Sequence, residues 1–259
     1  MAKVTVALKP GWIHDKDTLV IDDGFIDILD FYLFSTPCEE TSSSGITLRH
    51  RGWPNNIWQR KILRHSLLEI ANLEENVTYC KTTKQNLMST AINSAGLNGN
   101  FHLRRDRNRI AFWASGKCPE FMDVFYYIRC SLAHGRFERY VQDEEVIYVM
   151  ESAQKTKVRG LYNVKARMIL KESTLREWAS LLRGGNASLQ MIEANYKRKI
   201  CAEIIGEIEA GNNTKRRIIT VLPYSTNEIN DEFRTLKSIN RILYNKQLHV
   251  WETVPPTNS

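Results

Sequence analysis

An arginine and a histidine stand five residues apart in the run Arg129-Cys130-Ser131-Leu132-Ala133-His134-Gly135. Arginine holds a phosphate as a planar, permanently charged fork. Histidine is the side chain best suited to moving a proton near neutral pH. RNA brings its own nucleophile, the 2′-hydroxyl. Once a base removes its proton, that oxygen can attack the adjacent phosphate and leave a 2′,3′-cyclic phosphate and a 5′-hydroxyl, with no metal required. In this chemistry Arg129 holds the phosphate and offsets the charge that develops on it. His134 serves as general base or acid. The two are the candidate catalytic residues.

The run closes a segment with helical periodicity. Pro119 and Glu120 suit a first turn, and Gly135 suits the residue that ends a helix. Phe121, Val124, Phe125, Ile128 and Leu132 fall on one stripe at about 100° per residue. Relative to Ile128, Arg129 lies roughly 100° to one side and His134 roughly 120° to the other, so the pair diverges by about 140°. The opposite face holds Asp123, Tyr126, Cys130 and Ala133, residue types that suit packing on a partner. A homodimer through the Tyr126, Cys130 and Ala133 face would bring two copies of each motif residue into one groove. Alternatively, Arg129 could form an ion pair with Asp123 or Glu138.

The other elements must position this helix. A short strand is expected over Val4–Leu8, an apolar stretch over Leu19–Phe34 and a loop over Glu39–Gly45. Helices are expected over Asn56–Asn72 and Val77–Ser94. Gly96–Asn100 is a break, followed by a basic patch of His102, Arg104, Arg105, Arg107 and Arg109. That patch is either a solvated face or a set of phosphate contacts, which makes Arg104, Arg105 and Arg107 candidate RNA-binding residues. Phe112 and Trp113 belong either to the core or to a base-stacking surface. The β-branched runs Val146–Met150 and Val158–Leu170 suggest a hairpin. Thr174–Glu177 has the form of a capping box before a helix, and Leu189–Glu209 is a last long helical pattern. From about residue 211 the patterning weakens.

The chain has 259 residues, 42% of them hydrophobic, enough to bury a core. Lys and Arg total 36 against 29 Asp and Glu, a formal charge of +7. This excess favours an anionic partner such as RNA. Five scattered cysteines without a CxxC pair argue against a disulfide framework and point to a reducing, cytoplasmic setting. No leader pattern and no run long enough for a membrane span are visible. His14, His50, His65, His102 and His249 show no metal-ligand spacing, and no phosphate-loop motif occurs, so neither metal nor cofactor is expected. Ser131 lacks the flanking glycines of a nucleophile elbow.

The run Ile128-Arg129-Cys130-Ser131-Leu132-Ala133-His134-Gly135 resembles the R-x4-H signature of the HEPN superfamily. The following Gly135-Arg136-Phe137, the strand pair and Lys165–Leu175 are similar to a bacterial subgroup associated with toxins and anti-phage defence; the likeness spans roughly 55–210. The resemblance implies a mainly α fold, a HEPN-like helical bundle with a small inserted β-hairpin that dimerises through its motif helices. It implies an N-terminal extension over 1–50, a HEPN-like domain over 51–210 and a C-terminal extension over 211–259. It further implies metal-independent RNA cleavage by Arg129 and His134, with Cys130 and Arg136 beside the RNA, and an antitoxin or regulatory protein as a further partner. The position after the arginine, often Asn, Asp or His in the family, is Cys130, a weaker hydrogen-bonding group. Where some relatives carry a modified Tyr this chain has Arg136, so that regulation is not expected here. The alternative is a non-catalytic module that binds RNA or a nucleotide, or dimerises.

Overall fold

The computed structural model describes residues 5–7, 21–36, 45, 47–98, 107–158 and 161–255. The chain divides into two units, Met1–Leu189 and Gln190–Ser259. In the first unit, β1 (Thr5–Ala7) precedes α1 (Asp23–Leu29), which continues as a π-helical turn over Asp30–Ser35. Asp22 caps α1 by accepting the Phe25 N–H at 2.8 Å. Two 3₁₀ turns, Leu48–Arg51 and Ile57–Gln59, lead into α2 (Lys61–Ile70). Next come β2 (Tyr79–Thr82), α3 (Met88–Ser94), β3 (Arg109–Trp113) and α4 (Glu120–Ala133). The hairpin-linked β4 (Phe137–Gln142) and β5 (Glu145–Lys155), then β6 (Leu161–Lys171) and α5 (Glu172–Arg183), follow.

The strands form one mixed sheet in the order β2-β3-β6-β5-β4, with β1 also paired to β6. Only β2 and β3 run parallel; the other pairs are antiparallel. Successive side chains point to opposite faces, and both faces are covered. On one face Cys80, Ala111, Ile147, Val149 and Ile169 pack with Met88, Ile92, Ala95 and Leu97 from α3 and its end. On the other lies an aromatic chain. Tyr79 stacks on Phe121 at 5.5 Å, Phe121 meets Trp178 edge-on at 5.9 Å, and Phe125 lies 5.6 Å from both Trp178 and Tyr32. Being buried on both faces is why Ile147–Met150 and Met168–Leu170 are continuously apolar.

Several buried polar groups on the aromatic side are paired, which offsets their desolvation. The Trp178 indole donates to the Leu67 carbonyl at 2.9 Å, and the Tyr32 hydroxyl donates to the Leu175 carbonyl at 3.0 Å. Asn108 joins three elements: its amide donates to the Ala71 carbonyl and the Thr174 hydroxyl, and its oxygen accepts the Lys171 N–H.

This α/β architecture overturns the expectation of a mainly helical bundle with a small inserted hairpin. The two predicted strand runs are 11-residue strands at the middle of the sheet. They recruit β3 and, through it, β2, where helix was expected from Val77 onward. Alternation over four residues is too short to separate strand from helix locally; pairing with β3 decides it. Nor is Thr174 a cap. It lies inside α5, buried, while Lys171 holds the N-cap position.

The second unit takes most of α6 (Gly185–Glu209), with α7 (Lys215–Val221), α8 (Thr226–Ser238) and the hairpin β7 (Ile242–Asn245) and β8 (Val250–Thr253). Ile200, Ile204, Ile208, Ile218, Ile229 and Phe233 form its core. Ser225 and Glu228 make a reciprocal capping box at α8. The weak patterning after residue 211 thus conceals two short amphipathic helices and a hairpin, each too brief to show its period clearly.

No helix among the described residues is long and apolar enough to cross a membrane.

Candidate functional site

The motif stands at the end of α4. Phe121, Val124, Phe125, Ile128 and Leu132 are all buried, so the helix seats the predicted stripe against the sheet and its neighbouring helices. The helix stops at His134. The N–H groups of His134, Gly135 and Arg136 donate to the carbonyls of Cys130, Leu132 and Ser131 at 3.1, 3.2 and 2.8 Å. Gly135 takes φ 61°, which makes this a Schellman turn with glycine in the left-handed position.

Arg129 is half-buried on the flank of the stripe. Its guanidinium makes no hydrogen bond or ion pair among the described residues, and its Nε is buried without a partner. It therefore pairs with neither Asp123 nor Glu138. An uncommitted guanidinium at the edge of a core carries an uncompensated charge, which an anionic ligand would offset. His134 is exposed, and its imidazole too is unbonded among the described residues.

Cys130 is half-buried and lies beside the Tyr126 hydroxyl one turn earlier. Burial pushes the thiol above its ordinary range, while the Tyr126 hydroxyl and the Arg129 charge act in the opposite direction. Cys130 is therefore a packed side chain rather than a nucleophile. Ser131 is fully buried and donates to the Tyr127 carbonyl at 2.8 Å. Tyr126 and Ala133 are exposed beside Cys130, but Asp123 is not part of that face. Asp123 is buried, where it accepts the Ser115 N–H at 2.9 Å and bonds the Ser115 hydroxyl and Cys118 thiol.

The remaining candidates scatter. Arg136 points into the sheet, where its guanidinium donates to the fully buried Glu151 at 3.4 Å and lies 4.3 Å from the centre of the Tyr162 ring. Arg107 is exposed, 4.0 Å from Glu74. Arg104 and Arg105 lie outside the described residues. Arg109, the last member of the basic patch, is buried and donates to the Ala95 carbonyl at 3.1 Å. Phe112 is fully buried and belongs to the core; Trp113 is half-buried under the Lys165 ammonium at 3.7 Å. No local pattern signals the tie from Arg136 through Glu151 to Arg167, because those residues meet only when β4, β5 and β6 pair.

Among the described residues, no three His, Cys, Asp or Glu side chains gather as a metal site. The chain matches no family model, no curated protein and no solved structure.

Proposed function

We propose that the chain is a metal-independent endoribonuclease whose active pair is Arg129 and His134, acting in a toxin or anti-phage setting. The observation that carries this reading is that both motif side chains are uncommitted at one helix end, while nearly every other arginine described around the sheet is bound to a carboxylate or a carbonyl. His134 takes the proton of a 2′-hydroxyl. The freed oxygen bonds to the adjacent phosphorus, the P–O5′ bond breaks, and the departing 5′-oxygen takes up a proton. Arg129 holds the phosphate as charge builds on it. The angle between the two side chains on one helix favours a site completed by a second copy, and the exposed Tyr126 and Ala133 beside Cys130 are the surface on which that copy would sit.

The test is RNA cleavage in EDTA by the wild type, Arg129→Ala and His134→Ala, with the new end analysed for a cyclic phosphate. Cleavage by the wild type alone supports the reading. Cleavage that survives His134→Ala overturns it. Mixing the two inactive variants should partly restore activity if the site is shared between copies.

A second reading is a non-catalytic RNA- or nucleotide-binding module. The α/β architecture favours it, since it departs from the helical bundle that the motif's resemblance implies. RNA binding without cleavage, lost in Arg129→Ala, would establish it.

A further inference from the structure

The two 3₁₀ turns before α2 enclose a cleft of about 690 Å³ lined by Leu48, Arg49, His50, Pro54, Asn55 and Trp58 among others. Its floor is fixed. Leu48 and Ile57 are buried, and the buried Trp53 between the turns donates its indole N–H to the Leu182 carbonyl at 3.0 Å. Gly52 ends the first turn at φ 84°, a left-handed conformation that suits glycine.

The polar groups on its walls are oriented or free. The backbone N–H of Thr47 donates to Nδ1 of His50 at 3.1 Å. In the neutral ring the proton is therefore on Nε2, the nitrogen left to donate outward. Arg49 and Asn55 are exposed, and neither they nor the half-buried Trp58 makes a polar side-chain bond among the described residues. The cleft thus offers an indole face, several unspent hydrogen-bond donors and one uncompensated positive charge. That set fits a flat, aromatic, acceptor-rich group attached to an anion.

The cleft also adjoins the motif helix. The Trp58 ring meets Phe125 edge-on at 5.7 Å. Arg129 follows Phe125 by one helical turn, about 40° around the axis, with Cβ atoms about 5–6 Å apart. We propose that this cleft is a nucleotide-binding subsite: a base stacks on Trp58 while Arg49 holds its phosphate, and the same strand continues to Arg129. The inference rests on the reading of Arg129 as a phosphate holder.

The test is titration of the full chain with AMP and UMP, followed by tryptophan fluorescence, with ribose 5-phosphate as the base-free probe. The nucleotides should quench fluorescence and bind about tenfold or more tightly than ribose 5-phosphate, since stacking supplies the difference. Trp58→Phe should remove the quenching. Arg49→Ala should weaken binding about fivefold or more and flatten its salt dependence. His134→Ala should bind AMP as the wild type does. Equal affinity for ribose 5-phosphate, or unchanged AMP binding in Arg49→Ala, overturns the subsite. RNA cleavage by a chain that binds no AMP, unaltered by Arg49→Ala, overturns the subsite and leaves the nuclease. AMP binding without RNA cleavage does the reverse.

Discussion

Glu151 holds Arg136 twice: its N–H donates to the Arg136 carbonyl at 3.0 Å, and its carboxylate accepts the Arg136 guanidinium at 3.4 Å. The same carboxylate accepts Nε of Arg167 at 2.9 Å, and Glu151 has no exposed surface. The backbone that leaves the motif is therefore anchored to the middle of the sheet within two residues of His134. That anchor fixes where α4 ends and hence where the imidazole stands.

Removing the carboxylate leaves two largely buried guanidinium groups without their counter-charge. Glu151→Ala should destabilise the chain by about 3–5 kcal/mol, read as a lower urea midpoint at unchanged slope. Arg136→Ala should likewise lower stability, whereas a residue spent on RNA alone would lower only affinity.

His134 is exposed and unbonded, so His134→Ala should change stability by less than about 0.5 kcal/mol. Cleavage should fall by about 10²–10⁴-fold if the imidazole is the proton carrier. Thermal melts and single-turnover cleavage on the same preparations separate the two effects. A loss of activity matched by a loss of fold would remove His134 from the chemistry.

Gly135 adopts φ 61° where the Schellman turn reverses the chain. Gly135→Ala should cost about 1–2 kcal/mol for the left-handed conformation. It should also reduce cleavage beyond what the remaining folded fraction explains, because the turn sets the direction of His134. Denaturation and activity at a temperature well below the melt check both halves.

The Asp22 carboxyl is held below its ordinary range by the Phe25 N–H and then by Arg139, and that of Glu75 by the Arg64 guanidinium. Their folded-state pKa values lie below the unfolded ones. Their contribution to stability is thus complete above the ordinary carboxylate range and is lost as pH falls through the folded values. Urea midpoints should drop below about pH 4. Asp22→Asn should shrink that drop, since the amide cannot reproduce the charged bond to Arg139.

The motif helix was legible because its information is local. A stripe of five apolar residues at helical spacing, an opening Pro-Glu and a closing glycine give the start, buried face and end of α4 without reference to anything distant. The α2 helix and the β5–β6 pair were legible for the same reason. What stayed hidden depends on neighbours far along the chain. Tyr79–Thr82 is a strand because β3 lies beside it, and the hairpin is the centre of a sheet because β3 and β4 extend it on either side. The basic patch shows the same limit: Arg109, two residues from the exposed Arg107, is turned inward to the Ala95 carbonyl.

The sequence by itself thus determined a helix ending in an arginine, a histidine and a turn glycine, together with their flanking positions on its wheel. Only the tertiary structure decided which charges are free to act. Burial on the sheet commits Arg136, Arg109 and Arg167 to carboxylate or carbonyl partners, while Arg129 is left without one. Periodicity depends on a residue's near neighbours in the chain, but the partners that neutralise a buried charge are brought by other strands and helices.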